Sequence, residues 1–247
     1  MIAYPVFLAS ILYVVGFAGN WVVPKSIDSP AVSGSLASLL TKLLLLRPFA
    51  VQHSVMARPG FKARWTKVIS RSIERSTYVL ISNPLLLLLF WQWRPMHTMI
   101  WDAPEGVGRI ALTALSWLGW LIVLLSTFMI SHFDLFGLRQ VILNLQGEAY
   151  QHPGFATRDF YQIVQHPIML GFIIAFWASP AMTLGHLVFA LATTSHILIA
   201  LQLEERDLIA DIGHAYTNYR KRVPMLVPWP RSSQNGNSRQ LRYTNEK

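Results

Sequence analysis

The stretch that decides the fold opens with His166-Pro167-Ile168-Met169-Leu170-Gly171 and closes with Glu204-Glu205-Arg206-Asp207. Residues 168–203 carry no Asp, Glu, Lys or Arg, and Pro180 is the only proline among them. An unbroken helix over this span would run about 54 Å at 1.5 Å per residue, far more than a bilayer core of ~30 Å needs. Proline removes a backbone donor and breaks a helix. Residues 168–203 are therefore predicted to fold back near Pro180, each arm about one thin span long. The return brings Glu204 and Glu205 to the level of His166 and Pro167, forming one polar site at a membrane edge. Carboxylates beside a His suit a cationic polar ligand.

Composition supports the membrane reading. The 247 residues are 53% hydrophobic and 13% charged, against about 25% charged in a soluble domain. Tyr4–Val23, Ser76–Trp93 and Ile110–Ser131 carry no Asp, Glu, Lys or Arg. Each is close to the length of a membrane span. The expected fold is all-α and integral to the membrane, with five to six transmembrane helices, the last two a Pro-broken hairpin. Residues 1–230 form a single domain and 231–247 a disordered polar tail. The first apolar run reads as a retained helix, because no Lys or Arg precedes it and no small-x-small site closes it. The chain has no Cys, which excludes disulfides, thiolate metal sites and a catalytic thiol of its own. No metal site is expected.

A net charge of +9 raises the question of nucleic acid, but the placement of the charges answers it. Arg58, Lys62, Arg64, Lys67, Arg71 and Arg75 fill one loop, and Arg220, Lys221, Arg222, Arg231, Arg239 and Arg242 lie near the end. This is the positive-inside pattern of a membrane protein. The N-terminus, 55–75, 132–166 and the C-terminus are accordingly placed in the cytoplasm, and the 94–109 loop outside. Helices are expected over 3–23, 35–54, 76–93 and 110–131, with 132–166 a polar segment and a further helix over 204–222. Trp91, Trp93 and Trp101 read as an interfacial belt. His97, His186 and His196 read as structural.

The chemistry-bearing positions follow from this layout. Glu204 and Glu205 suit a ligand carrying an ammonium, a sulfonium or ribose hydroxyls. His166-Pro167 opens a helix, whose free N–H groups suit a carboxylate. Gly171, one turn in, permits close approach to the backbone. Tyr216 and Tyr219 share one face of the helix that Pro224 ends.

The pattern Gln165-His166-Pro167-x-x-x-Gly171, a hairpin, Glu204-Glu205 and Tyr216-x-x-Tyr219-x-x-Arg222-Val223-Pro224 resembles the membrane methyltransferases, which include isoprenylcysteine carboxyl methyltransferase and the phospholipid methyltransferases. The resemblance implies that these residues hold S-adenosylmethionine. Gln165 stands where that family has Arg, so Arg222 or backbone N–H groups would take the donor carboxylate instead. Gln52-His53-Ser54-Val55-Met56-Ala57-Arg58-Pro59, Ile73-Glu74-Arg75-Ser76-Thr77-Tyr78, Phe90-Trp91-Gln92-Trp93-Arg94-Pro95 and the run from His132 to Gln140 are similar to the methanethiol S-methyltransferases, within a wider NnrU group that also contains the haem protein zeta-carotene isomerase. The narrower resemblance implies a small volatile thiol as acceptor and in-line transfer to a thiolate, in a bacterial inner membrane with the site facing the cytoplasm. A thiol is mostly protonated at neutral pH, so a base is expected among His53, His132 and Asp134, with Asp134 orienting His132. Two other readings remain open: methylation of a lipid or prenylcysteine, and haem held between His53 and His132. Oligomeric state is left open.

Overall fold

The computed structural model describes residues 2–30, 36–151 and 157–229; the expected polar tail over 231–247 lies outside the described residues. In chain order the elements are α1 (Ala3–Gly19), α2 (Leu36–Ala57), α3 (Pro59–Trp65), α4 (Arg71–Trp91), β1 (Met99–Asp102), α5 (Val107–Ile130), α6 (His132–Leu135), α7 (Leu138–Leu145), a 3₁₀ turn (Asp159–Gln162), α8 (Pro167–Trp177), β2 (Ala181–Thr183), α9 (Leu184–Ile212) and α10 (His214–Arg222). Helices α4, α5 and α9, of 21, 24 and 29 residues, are long and apolar enough to cross a membrane. That makes the chain an integral membrane protein. Helices α1 and α8 are apolar but shorter.

Local chemistry sets the ends. Asn20 adopts the left-handed conformation that caps α1, so that helix stops short of the expected residue 23. Ser70 caps α4 through its hydroxyl, and the helix begins at Arg71 inside the expected basic loop, which also holds α3. The fold is not purely α-helical. β1 pairs antiparallel with β2, Met99 opposite Thr183 and Asp102 opposite Ala181. Both strands lie in the links between helices, where Pro180 forbids helix and an extended neighbour offers backbone partners.

The hairpin forms, with unequal arms. Helix α8 has 11 residues and rises only about 16 Å. Helix α9 climbs about 32 Å from Leu184 to Glu205. The link over 178–183 makes up the difference, since six extended residues reach up to about 20 Å. Glu204 and Glu205 do not begin a new helix as expected; α9 continues through them to Ile212 and breaks at Gly213, whose φ is 67°.

Helix α8 is held by a close crossing with α5. A Cβ on Gly171 would lie 2.7 Å from the Gly119 carbonyl oxygen, and one on Gly119 would lie 2.6 Å from the Ala175 nitrogen. Only glycine permits this approach, the usual device for close helix packing in a membrane. An aromatic core lies beside it. Phe17 meets Phe90, Trp93 and Phe189 at 4.5, 5.6 and 5.8 Å between ring centroids, which ties α1, α4 and α9 together. Trp93 is fully buried and Trp91 is exposed, so of that pair only Trp91 is placed for an interfacial belt. Lys42, also fully buried, sets its ammonium 4.6 Å over the Trp93 ring.

The two ends of the bundle are chemically distinct. At one end Tyr4 meets His132, Ser76 donates to the Gly137 carbonyl, Arg58 pairs with Asp207 at 2.8 Å, and His166 meets the Glu204-Glu205 pair. At the other, Lys25 donates to the Trp91 carbonyl and Trp101 to the Ser179 carbonyl. The described parts of the segments expected in the cytoplasm thus gather at one end. Gly119→Ala should cost about 1–3 kcal/mol through overpacking, read as a lowered unfolding midpoint in detergent; an unchanged midpoint would show that the crossing can relax.

Candidate functional site

Buried acid and base face each other where α8 begins and α9 nears its end. Glu205 is 3% exposed. Its Oε2 forms an ion pair with Arg220 Nε at 3.0 Å, and its Oε1 lies 3.7 Å from His166 Nε2 with no hydrogen-bond partner among the described residues. Glu204, half exposed, approaches His166 Nδ1 only to 4.0 Å. Burial pushes the His166 imidazole down to about 4, so the ring is neutral at physiological pH. These near contacts are therefore not ion pairs, and the cation for Glu205 is Arg220.

Gln165 and His166 are fixed by the chain that follows α10. The Gln165 amide N–H donates to the Pro224 carbonyl at 2.9 Å and the His166 N–H to the Met225 carbonyl at 3.2 Å. The Gln165 side chain donates to the carbonyls of Val223 and Arg220. Its Oε1 is buried without a hydrogen-bond partner among the described residues. Pro167 starts α8 and lacks the N–H that the helix start would leave unpaired. Tyr219 donates to the Tyr161 carbonyl at 2.6 Å, and its ring lies 5.9 Å from that of Tyr216. Burial pushes Tyr219 up to about 12, and burial with the charges of Glu205 and Glu204 raises Tyr216. Both phenols are neutral.

A cleft of about 550 Å³ opens among these groups, lined by Gln165, Gln202, Glu205, Thr217, Arg220 and Lys221. That is the size of a small-molecule site. Among the described residues, two buried acceptors, Glu205 Oε1 and Gln165 Oε1, lack partners beside two cationic side chains. The arrangement can hold a group carrying both an ammonium and a carboxylate.

Other residues singled out from the sequence lie elsewhere. Gly171 is packed against α5. Arg222 is exposed and its Nε approaches the Asn218 carbonyl of its own helix. His132 is engaged at both ring nitrogens, by Tyr4 at 2.9 Å and Thr127 at 2.8 Å, and stacks on Phe128. Asp134 accepts instead from Ser131 and Arg139. His53 meets Tyr78 of α4 and His196 of α9. Among the described residues His132 and His53 belong to separate clusters, and nothing there pairs them across a haem. Arg220, Lys221 and Gln202 were not picked out from the sequence as site residues. The available signal was helical spacing: Gln202 is three residues before Glu205, and Arg220 four after Tyr216.

The depressed His166 has a consequence for stability. A buried imidazole that resists protonation favours the unfolded state as pH falls from about 6.5 toward 4, because the unfolded chain binds the proton first. His166→Asn should make the unfolding midpoint less sensitive to acid over that window; an equal or greater sensitivity would contradict a neutral buried ring.

Residues 39–213 match the family model described as NnrU protein. The chain is 55% identical over 228 residues to the methanethiol S-methyltransferase of Mycobacterium tuberculosis, covering 92% of this chain and 93% of that one. It is 50% identical to the methanethiol S-methyltransferase of Pseudomonas deceptionensis, over 85% of this chain and 80% of that one. It is 28% identical to Nurim of Mus musculus, over 70% of this chain and 69% of that one. No solved structure matches. A family match over most of the chain, with relatives more than half identical over nine-tenths of it, makes this protein a member of the NnrU family and of its methanethiol S-methyltransferase group.

Proposed function

We propose that this chain transfers a methyl group from S-adenosylmethionine to methanethiol, giving dimethyl sulfide. The observation that carries the reading is 55% identity over 92% of the chain to a relative named methanethiol S-methyltransferase. Helices α1 and α2 cross the membrane beside α4, α5 and α9, with α8 as a partial sixth span. The end that bears the cleft faces the cytoplasm of a bacterial inner membrane. The cluster of Arg and Lys at that end supports this orientation.

The donor supplies an electrophilic methyl group on a sulfonium. The chain's own residues fit the donor's amino-acid end. Glu205 Oε1 and Gln165 Oε1 are the unpartnered acceptors for an ammonium. Arg220 is the cation for the carboxylate, in the role considered from the sequence for Arg222, and it offers the rigid planar donor set suited to that group. His166, neutral, neither repels a sulfonium nor competes for Glu205 as a cation. Tyr216 and Tyr219 brace the α10 side of the cleft. The apolar bundle above admits an uncharged acceptor, and an apolar product leaves through the bilayer.

Membranes containing the protein, given donor and methanethiol, should release dimethyl sulfide into the headspace. Methyl label appearing only in a lipid extract would replace the acceptor. Glu205→Gln should weaken S-adenosylhomocysteine binding about 10–100-fold, the loss of one charged hydrogen bond worth ~1.5–3 kcal/mol. Arg220→Gln should abolish the preference for that ligand over its decarboxylated analogue, measured by calorimetry.

A further inference from the structure

A second polar cluster stands on the apolar side of Glu204, and the donor cleft does not use it. His53 of α2, Tyr78 of α4 and His196 of α9 meet where those three helices pack. The Tyr78 hydroxyl lies 2.8 Å from His53 Nδ1 and 3.0 Å from Nε2. The hydroxyl can donate to the His53 backbone carbonyl at 3.4 Å while its oxygen accepts from the N–H of one ring nitrogen, and in that tautomer the other nitrogen carries the ring's lone pair. The His53 and His196 rings face at 6.1 Å, nearly perpendicular, and Phe49 stacks on His53 at 5.3 Å. Among the described residues no hydrogen bond reaches the His196 ring. Polar groups left unsatisfied at this depth are costly, and ionisable ones there mark function.

The cluster is joined to the donor cleft. Glu204 lies eight residues beyond His196, about 12 Å along α9, and its carboxylate acts electrostatically on the Tyr78 hydroxyl. Glu204 also approaches His166 at 4.0 Å. The Arg58–Asp207 pair fastens the end of α2 to α9 one turn past Glu204. Glu204 therefore stands between two compartments. One is charged and holds Glu205 and Arg220; the other is aromatic and holds two imidazoles and a phenol.

We propose that the His53–Tyr78–His196 cluster is the acceptor subsite, taking a small uncharged thiol from the bilayer side, with His53 as its base. This rests on the methyl-transfer reading above. The thiol proton passes to the unprotonated nitrogen of His53, whose other nitrogen donates its N–H to the Tyr78 oxygen. The sulfur lone pair forms the new carbon–sulfur bond, the methyl–sulfonium bond breaks, and its electron pair stays on the leaving sulfur. The imidazolium returns its proton to water at the membrane edge. Tyr78 sets the ring of His53, and His196 closes the apolar pocket around the thiol as a positioning residue. The groups facing His53 are Tyr78 from α4 and His196 from α9, with Glu204 and Arg58 nearer the edge. Arg75 also acts on Tyr78 from the same edge; of these two fixed positive charges, Arg58 is committed to Asp207.

The test uses the full chain in vesicles with methanethiol as probe. His53→Asn should lower kcat/KM for methanethiol about 100-fold at pH 7. Its kcat/KM should then rise about tenfold per pH unit, as solution thiolate replaces the lost base. His196→Asn should raise KM with a smaller change in kcat. Tyr78→Phe should keep activity within about tenfold of wild type and the wild-type pH profile. S-adenosylhomocysteine affinity should be unchanged in all three, which also reports that each variant is folded. Wild-type kinetics in His53→Asn, or a loss that does not recover with pH, would overturn the proposal. A wild-type protein that binds no donor and releases no dimethyl sulfide would instead overturn the reading on which it rests.

Discussion

Glu205 is a carboxylate with 3% exposure near the end of an apolar bundle, and the polar half of the site depends on the cation opposite it. An unpaired buried charge would cost several kcal/mol. Arg220 meets that need at 3.0 Å, but only if α10 turns back over the bundle. Gly213 permits the turn with a φ of 67°. Tyr216 and Tyr219 bury the inner face of α10. Gln165 then fastens the returning chain through Val223 and Pro224, and the His166 N–H fastens it through Met225. The cleft is what remains between these constraints. Its acceptors Glu205 Oε1 and Gln165 Oε1 have no hydrogen-bond partner among the described residues.

The hairpin and the meeting of His166 with Glu204-Glu205 were legible in the sequence, because a charge-free run of that length has to fold back. The unequal arms were not. Pro180 shows where helix ends but not how much extended chain follows, and the strand pairing that settles it involves residues 99–102 in a distant link. Gly171 has one physical property, the absence of a Cβ. Sequence shows that property without showing whether a ligand or a second helix makes use of it. Here the partner is Gly119.

Two misplacements share a helical cause. His132 and Asp134 are two apart, about 200° around a helix, so a helical turn points them away from each other. They find Tyr4 and Thr127, and Ser131 and Arg139, respectively. Arg220 and Arg222 flank opposite edges of the Tyr216–Tyr219 face. Tyr219 turns toward Tyr161 and the Tyr216 edge toward Glu205, so Arg220 reaches the acid. Nothing in the local sequence decides which edge faces inward; the Gly213 break and the Gln165 clamp do.

The same geometry divides the acidic pair. Adjacent residues on a helix project about 100° apart, so Glu204 and Glu205 cannot serve one ligand group in the same way. Glu205 is drawn into a charged contact with α10, whereas Glu204 lies within electrostatic reach of Tyr78 on α4. A methyl transfer between a charged donor and an uncharged acceptor requires such a boundary. The donor needs fixed charges of both signs, and the acceptor needs an apolar approach with one proton acceptor at its end. In the proposed reading, the pair of carboxylates in consecutive positions places that boundary on a single helix.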